Sequence, residues 1–578
     1  MTGKREAVQR CNAQLHSLVV AAGLALALVS LAQAQDFAGG SVPPAAAIPT
    51  QAATDTTLKR DYTQSAISLS IVLAPVDDAE KATLPTGRKD QPLQIGFGRA
   101  LPAPYQGDLQ PLLEWVQEAD GTATAVFAVT SPGAQALRLA LDVTDLPAGV
   151  ELRFFSLALP PQVFGPFTTR ELRPGGQEAT QSAAEAMLYW SPVIEGETIG
   201  VELRLTQPTQ QAGFVLKLAQ VSHLEQSVLT SAKNLADIGR AGSCNIDVQC
   251  RTVANSIRGA TAKIIFTKGG NSFLCTGTLL NDQDPDSFIP YFLTANHCLD
   301  TQAAASTVNS YWLFERATCG GPDPTSVIQR TNGGDLLATG TNSDFTFMQL
   351  NDDVGTIAGV VFAGWNAAPL PASTSVVPIH HPSGDLKKWS QGTHMGFADY
   401  LGGIVNGTGS HLLVLYSQGT TEGGSSGAGL FDPSDQLRGT LHGGEASCST
   451  PNAPDYYGRF DLTFPSIQQW LSTGATRLTL GSPVTVTVQL GQWKEYKIAG
   501  SATQTQLIVG LSGLNQDADL YVRKGSRPTL TQYDCRPFLP GTSVETCLIN
   551  NSGSNVYYIS VRSASPGTTS FTLAVNTR

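Results

Sequence analysis

Three short stretches in the middle of the chain hold residue types that together can cleave an acyl bond. His297 stands directly before Cys298 at the end of an apolar run, Asp344 opens a second apolar run, and Ser426 lies in a glycine-rich loop, residues 423–429 (GGSSGAG). A serine hydroxyl is a weak nucleophile at neutral pH and needs a base to accept its proton. An imidazole titrates near that pH, and a carboxylate can fix its tautomer. The three stretches together therefore predict nucleophilic catalysis by a serine of this loop, Ser426 or its neighbour Ser425.

The glycines around Ser426 predict a site for the negative charge that develops during acyl transfer. Glycine permits the tight turn that aims several N–H groups at one point. We expect the amides of Gly424 and Ser426 to be these donors, with Ser425 as the other candidate nucleophile. Each stretch alone is weak evidence, because His-Cys pairs, strand-opening Asp residues and Gly/Ser loops are more often structural.

The composition predicts that β-strands position these residues. The chain has 578 residues, enough for three or four domains of about 150 residues each. Charged residues make up 14%, with 57 Gly and 34 Pro, which is typical of turn-rich β structure. The net charge, 36 basic minus 47 acidic residues, is −11, which disfavours nucleic-acid binding by phosphate neutralisation. We expect an all-β protein with no nucleic-acid partner.

The N-terminus has the pattern of a secretory signal peptide, residues 1–34. Lys4, Arg5 and Arg10 precede an apolar run at residues 18–31, and an Ala-Gln-Ala step closes the segment. The run is shorter than the roughly 18 residues of a membrane-spanning helix. We therefore expect a secreted, extracellular protein without a membrane span.

The number of cysteines is also consistent with an exported protein. One of the nine, Cys11, falls in the signal segment. An even number of the rest in an exported chain indicates disulfides, and their spacings match no zinc ribbon or finger, so we expect no metal there. These eight are Cys244, Cys250, Cys275, Cys298, Cys319, Cys448, Cys535 and Cys547.

Composition and apolar patterning divide the exported chain into three regions. Residues 35–240 are β-rich and lack Cys, residues 241–473 hold six Cys and most histidines, and residues 483–578 hold two Cys and a further run of strands. Residues 474–482 are predicted to be a linker.

The middle region resembles the chymotrypsin-like serine proteases, and within them the bacterial lysyl endopeptidase group. The resemblance covers about 230 residues, 241–473. It implies two six-stranded antiparallel β-barrels with the active site in the cleft between them. The motifs that carry it are residues 242–250 (GSCNIDVQC), 275–281 (CTGTLLN), 295–298 (ANHC), 343–346 (SDFT), 380–385 (HHPSGD) and 441–444 (LHGG).

The resemblance also implies roles. His297 would be the general base, Asp344 its orienting carboxylate and Ser426 the nucleophile, favoured over Ser425 because Gly follows the reactive serine in this class. The implied disulfides are Cys244–Cys448, Cys250–Cys319 and Cys275–Cys298, and we expect Cys535 to pair with Cys547.

The resemblance places Asp455 at the base of the primary specificity pocket, where it would bind a substrate lysine. Asp461 and Asp432 are weaker rivals, and a solvated turn residue is the alternative interpretation of Asp455. One carboxylate does not separate strict Lys from broader Lys/Arg specificity. His442 resembles a histidine that lines the substrate cleft in this group, with a packing role as the alternative.

The flanking regions resemble known companions of such proteases. Residues 35–240 are similar to propeptides of this group, which would be removed near the Arg240–Ala241 junction. Such a propeptide would assist folding of the slow-folding β-barrels and cover the cleft until export. Residues 483–578 resemble the bacterial pre-peptidase C-terminal domain, a small β-sandwich. There Asp517 and Asp519 could bind Ca²⁺ or cap a turn, and no other cofactor is expected.

The sequence thus predicts a monomeric, secreted serine endopeptidase that cleaves proteins and peptides after Lys through an acyl-enzyme on Ser426. Broader Lys/Arg cleavage is one alternative. An adhesive or substrate-binding protein with a vestigial protease domain is the other.

Overall fold

The computed structural model describes most of the chain from residue 40 onward. The predicted signal segment, residues 1–34, and the predicted processing junction at Arg240 lie outside the described residues. The described ranges are 40–46, 58, 67–77, 80, 89–147, 149–158, 161–172, 188–206, 214–227, 241–284, 287–324, 327–405, 407–472, 475–489, 492–500, 505–525, 527–528, 533–537, 539–550, 555–565 and 567–577.

From Leu69 to Leu224, the N-terminal region consists of two sheets around one apolar core. Strands β3, β6, β12, β8 and β9 form one sheet with β5 beside β6, and β10, β11, β7, β13 and β4 belong to the other. The elements are β1 (Ser41–Val42), β2 (Ala45–Ala46), β3 (Leu69–Val72), β4 (Leu93–Arg99), β5 (Val116–Gln117), β6 (Ala123–Thr130), β7 (Ala136–Asp142), β8 (Val150–Ser156), β9 (Val163–Thr168), α1 (Thr169–Leu172), β10 (Leu188–Trp190), β11 (Ile194–Glu195), β12 (Thr198–Leu205) and β13 (Lys217–Leu224), with 3₁₀ turns at Ala103–Tyr105 and Gln110–Leu112.

The middle region holds a second and larger set of strands. Its elements are β14 (Ile246–Asp247), α2 (Asn255–Arg258), β15 (Thr261–Lys268), β16 (Asn271–Leu280), β17 (Tyr291–Thr294), α3 (Gln302–Ala305), β18 (Asn309–Trp312), β19 (Ile328–Arg330), β20 (Gly334–Gly340), β21 (Phe345–Leu350), β22 (Val361–Phe362), β23 (Gly364–Asn366), β24 (Ser375–His380), β25 (Lys388–Trp389), β26 (Gln391–Ala398), β27 (His411–Gln418), β28 (Gly429–Phe431), β29 (Gln436–Gly444), β30 (Asp455–Arg459) and α4 (Phe460–Leu471), with 3₁₀ turns at Val248–Cys250, Val354–Thr356 and Pro382–Gly384.

These strands form two barrel-like sheets. Six of them close a ring in the order β24, β26, β27, β30, β29, β28 and back to β24. In the other sheet, six strands follow the order β18, β15, β16, β17, β21 and β20, and helix α3 contacts β15 and β20. The predicted all-β fold with a double-barrel protease region is confirmed.

The N-terminal region continues the protease sheet that contains β15 and β16. Strand β4 pairs antiparallel with β16, with Leu93 opposite Leu274 and Gly96 opposite Ser272. On its other side β4 pairs with β13. The N-terminal region is therefore hydrogen-bonded to the strand that carries Cys275.

The C-terminal region is a sandwich of two four-stranded sheets. In β34, partly buried and fully buried residues alternate, as expected for a strand with one face on a core. Its elements are β31 (Thr476–Arg477), β32 (Val484–Gln489), β33 (Trp493–Ala499), β34 (Gln506–Ser512), β35 (Ala518–Lys524), β36 (Glu545–Asn550), β37 (Val556–Ser563) and β38 (Thr568–Thr577).

Ion pairs join this sandwich to the protease region. Arg562 lies 3.0 Å from Asp335, and both side chains are almost fully buried. Two further pairs among the described residues are Arg523–Asp353 and Lys497–Asp284.

Within the described part of the chain, no helix has the length and apolar character needed to cross a membrane.

All four expected disulfides are present. They join Cys244 to Cys448, Cys250 to Cys319, Cys275 to Cys298 and Cys535 to Cys547.

Candidate active site

Two paired strands bring His297 and Asp344 together. His297 follows β17 and Asp344 precedes β21, and the two strands pair antiparallel with Thr294 opposite Thr346. The Asp344 Oδ2 atom lies 2.7 Å from His297 Nδ1, and Oδ1 accepts a hydrogen bond from the His297 main-chain N–H at 2.9 Å. An ionised carboxylate can only accept, so Nδ1 carries the hydrogen and Nε2 is left with the lone pair that a base needs.

Asp344 is held as an anion in a buried position. Burial by itself raises the pKa of its carboxyl, but the His297 and His442 imidazoles and the hydrogen bonds from His297 outweigh burial, so the pKa lies below its ordinary value. Asp344 also adopts a left-handed backbone conformation, with φ of 44°. Asp tolerates this region better than most residues, although the conformation carries some strain.

The glycine-rich loop is tied to the strand that leads toward His297. Gly424 and Gly427 on either side of Ser426 have φ values of 87° and 83°, which glycine adopts at no steric cost. The Ser426 carbonyl accepts a hydrogen bond from the Thr276 N–H at 2.8 Å. Thr276 follows Cys275, whose disulfide partner Cys298 follows His297. One short covalent and hydrogen-bonded path therefore connects Ser426 with His297.

The two serines of the loop have different surroundings. Ser425 is fully buried, and its hydroxyl lies 2.8 Å from His380 Nδ1, which places it inside the structure. Ser426 instead faces a segment of the N-terminal region, as described below. Among the described residues, neither the Gly424 nor the Ser426 amide donates to a backbone carbonyl. The role of these two amides as donors to a developing negative charge stays a prediction.

Asp455 binds the ammonium of a lysine from the N-terminal region. The Asp455 side chain is fully buried, and the Lys89 Nζ atom lies 3.2 Å from Oδ1 and 3.4 Å from Oδ2. Nζ also donates to Thr421 Oγ1, at 3.2 Å, and to the Ala446 carbonyl. Thr421 in turn donates to Asp455 Oδ2. The alternative interpretation of Asp455 as a solvated turn residue is wrong.

The two rival carboxylates have arginine partners of their own. Asp461 pairs with Arg459 at 2.5 Å, and Asp432 pairs with Arg438 at 2.8 Å. Neither carboxylate contacts Lys89.

The backbone of Lys89 lies against the candidate nucleophile. The Ser426 hydroxyl donates a hydrogen bond to the Lys89 carbonyl oxygen at 3.1 Å. On the other side, a Cβ atom at Gly443 would lie 2.7 Å from that oxygen, so only glycine permits this approach. Downstream, Leu93 pairs with Leu274 of β16. Lys89 therefore contacts Asp455 through its side chain and Ser426 through its carbonyl.

His442 packs against His297. Its ring stacks on the His297 ring with centroids 5.3 Å apart and on Tyr400 at 3.6 Å. His442 Nδ1 lies 3.0 Å from His411 Nε2 and 3.7 Å from Asp344 Oδ2. Burial lowers the pKa of both His442 and His411 to about 4, so both are neutral at pH 7. We infer a packing role that limits movement of the His297 ring.

Metal binding has one geometric candidate among the described residues. The possible ligand atoms of His297, Asp344 and His442 lie within 4.8 Å of one another. The imidazoles of His297 and His442 are stacked, so their lone pairs do not converge on one point. His442 Nδ1 also already faces His411. This chemistry fits proton transfer better than metal ligation.

The predicted Ca²⁺ residues lie in the C-terminal sandwich. Asp519 and Asp517 are both buried, and the Arg536 guanidinium lies 3.9 Å from Asp519. An arginine beside a carboxylate supplies the positive charge that a cation would bring. Calcium binding there stays a prediction.

Sequence reasoning missed three participants in the pocket: Lys89, Thr421 and Ala446. Thr421 and Ala446 flank the GGSSGAG and LHGG motifs, so a search around those motifs for hydroxyls and free carbonyls could have found them. Lys89 has no such signal, because it is an isolated lysine 366 residues before Asp455.

Family models match all three regions. The lysyl endopeptidase N-terminal domain matches residues 72–225, the lysyl endopeptidase C-terminal domain residues 238–458, and the bacterial pre-peptidase C-terminal domain residues 495–563.

Individual proteins give matches of different extent. A lysyl endopeptidase of Pseudomonas aeruginosa is 32% identical over 428 residues, covering 71% of this chain and 87% of that protein. Alkaline serine exoprotease A of Vibrio alginolyticus is 39% identical over 87 residues, 15% of this chain and 16% of that protein. A crystal structure of the thermostable serine protease AL20 from an extremophilic microorganism aligns with a TM-score of 0.28 and 17% identity, covering 37% of this chain and 95% of that one.

Proposed function

The chain belongs to the lysyl endopeptidase family and is a serine endopeptidase, and from this premise we propose that it cleaves peptide bonds after lysine through an acyl-enzyme on Ser426. The family resemblance predicted from the sequence is confirmed. The assignment of His297, Asp344 and Ser426 to the catalytic triad is part of this proposal.

The contact between Lys89 and Asp455 is the observation that carries the lysine specificity. A lysine side chain of the same chain fills the pocket, its ammonium meets the buried carboxylate at 3.2 Å, and its carbonyl meets the Ser426 hydroxyl at 3.1 Å. A substrate lysine would need the same two contacts, one for recognition and one for reaction.

The pocket favours Lys over Arg on chemical grounds. An ammonium has three hydrogens on one nitrogen, and Asp455, Thr421 and Ala446 supply acceptors around that single point. A guanidinium is planar and spreads its donors over three nitrogens, so it would need acceptors in one plane and a deeper pocket. Broader Lys/Arg cleavage is therefore the weaker alternative.

Acylation begins with proton transfer. The Ser426 hydroxyl turns from the substrate carbonyl to His297 Nε2, and its oxygen attacks the carbonyl carbon as His297 takes the proton. Asp344 holds the neutral imidazole in the correct tautomer and stabilises the imidazolium that forms. His297 then gives the proton to the leaving amine.

The negative charge of the tetrahedral intermediate needs donors. The Gly424 and Ser426 amides suit this role, because neither donates to a backbone carbonyl in the described structure. Water then attacks the acyl-enzyme, with His297 as the base, and releases the new C-terminal lysine.

We also propose that the protein is secreted as a precursor. The signal-like residues 1–34 support export, and the match of residues 72–225 to the N-terminal domain of this family supports a propeptide. The pre-peptidase-like region would then travel with the protease, to which it is joined by buried ion pairs.

Labelling with a fluorophosphonate tests the mechanism and separates it from the adhesive alternative. The processed enzyme should be labelled on Ser426 and should hydrolyse a lysyl peptide, and Ser426→Ala should lose both properties. Ser425→Ala is the matched control and should keep the label. Absence of any label on a folded wild-type enzyme would favour a vestigial protease domain.

A further inference from the structure

The segment around Lys89 lies in the cleft in the manner of a substrate. Its side chain reaches the pocket floor at Asp455, and its carbonyl accepts from Ser426. The chain then continues to β4, where Leu93 and Gln94 pair antiparallel with Leu274 and Phe273 of β16. Both the residue before a scissile bond and the residues after it are therefore held by protease strands.

From these contacts we propose that the Lys89–Asp90 peptide bond is a self-processing site, cut by Ser426 of the same molecule. The proposal rests on the proposed function and adds the first substrate of the enzyme, its own N-terminal region. It places the cut about 150 residues upstream of the predicted junction at Arg240–Ala241.

The structure favours a cut within one molecule. Strand β4 is paired on one side with β16 and on the other with β13, so Lys89 is presented by a sheet that is continuous with the barrel. The Lys89 side chain is only 13% exposed. A second molecule would have to displace this segment before it could reach the bond, whereas Ser426 already touches the Lys89 carbonyl.

The orientation of the Ser426 hydroxyl is that of a bound state before reaction. The Ser426 hydrogen points to the Lys89 oxygen, so it must turn to His297 before attack. Asp90 interacts electrostatically with His442, and His442 stacks on His297.

The bonds balance with water as the only co-reactant. Ser426 Oγ bonds to the Lys89 carbonyl carbon while its proton passes to His297. The bond from that carbon to the Asp90 nitrogen breaks, and His297 protonates the nitrogen. Water then gives a proton to His297 and its oxygen to the carbon, and Ser426 regains a proton as it leaves. The products are a carboxylate at Lys89 and an ammonium at Asp90.

The test is N-terminal sequencing and intact mass of the purified full-length precursor over time. A chain that begins at Asp90 should form at a rate independent of protein concentration. Ser426→Ala and Lys89→Ala should both fail to form it. Lys217→Ala, which removes an exposed lysine of the same region, should form it at the wild-type rate.

A second measurement does not depend on the folding of a Lys89 variant. The Ser426→Ala precursor is incubated with a trace of active wild-type enzyme. Exposed lysines such as Lys217 should be cut at least tenfold faster than Lys89. Rapid cutting after Lys89 in this mixture would overturn the intramolecular proposal.

The outcomes separate this proposal from the proposed function. If the wild-type preparation hydrolyses a lysyl peptide but no chain begins at Asp90, the processing site is wrong and the enzyme assignment stands. If the Asp90 end appears equally in Ser426→Ala alone, another protease makes it and the proposal is overturned. If neither Asp90 ends nor peptide hydrolysis is seen, the enzyme assignment itself fails.

Discussion

Lys89 Nζ and Asp455 Oδ1 lie 3.2 Å apart, although 366 residues separate the two residues in the chain. The Asp455 carboxylate is fully buried and the ammonium nearly so. A buried charge needs a partner, because removing one member of such a pair costs about 3–5 kcal/mol. The processed enzyme should therefore recruit a substrate lysine to the same place.

Asp455→Asn should weaken lysine recognition strongly. Loss of about 3–5 kcal/mol corresponds to a fall of roughly 150- to 5,000-fold in kcat/KM for lysyl peptides, since 1.36 kcal/mol is a factor of ten. Steady-state kinetics of the processed enzyme would measure this. Asp461→Asn is the matched control and should change kcat/KM by less than about threefold. Equal effects of the two substitutions on kcat/KM would show that Asp455 does not bind the substrate lysine.

Asp344→Asn should leave the fold intact and lower kcat. An amide has the size of the carboxylate, but it can donate to His297 Nδ1 and so favour the wrong tautomer. The expected loss is about 10,000-fold in kcat, as for the equivalent change in a serine protease triad. The melting midpoint should stay near the wild-type value. A kcat within a few-fold of wild type would exclude Asp344 as the orienting carboxylate.

His411 and His442 should make the protein less stable in mild acid. Burial lowers both pKa values to about 4, whereas an unfolded histidine titrates near 6.5. Between these values the unfolded chain binds more protons, so stability is full above about pH 6.5 and falls as the pH drops toward 4. Between pH 7 and 4.5, the melting temperature of the Ser426→Ala precursor should fall further than that of the same protein with both histidines changed to Asn. Parallel pH profiles would refute this.

The disulfide between Cys275 and Cys298 should stabilise the protease region and keep His297 in place. Its two cysteines are 23 residues apart, and a loop of this size corresponds to about 3 kcal/mol. Changing both to Ser should lower the melting midpoint of this region and reduce kcat. The matched control changes Cys535 and Cys547, which are 12 residues apart in the sandwich, and should leave kcat unaltered.

The sequence predicted those parts of the site that depend on local pattern. A His at a strand end, an Asp at a strand start and a Gly-rich turn around Ser426 are local signals, and strand pairing then brings the first two together. The all-β class followed from low charge and many Gly and Pro residues.

The remaining features depend on contacts between distant segments, which no local pattern encodes. Lys89 fills the pocket because β4 adds to β16, and neither strand has a sequence signal for the other. Arg562 and Asp335 likewise form an ion pair between the C-terminal sandwich and the protease region, and no local sequence pattern predicts it. The burial of Asp455 likewise follows from its place at the start of β30 inside a closed barrel rather than from its neighbours in the chain.

The most direct test of the account is to digest a random peptide library with the processed enzyme and sequence the new C-termini. The account predicts that nearly every new end is a lysine and that Ser426→Ala produces none. New ends that are mostly apolar, or cleavage that persists in Ser426→Ala, would contradict it.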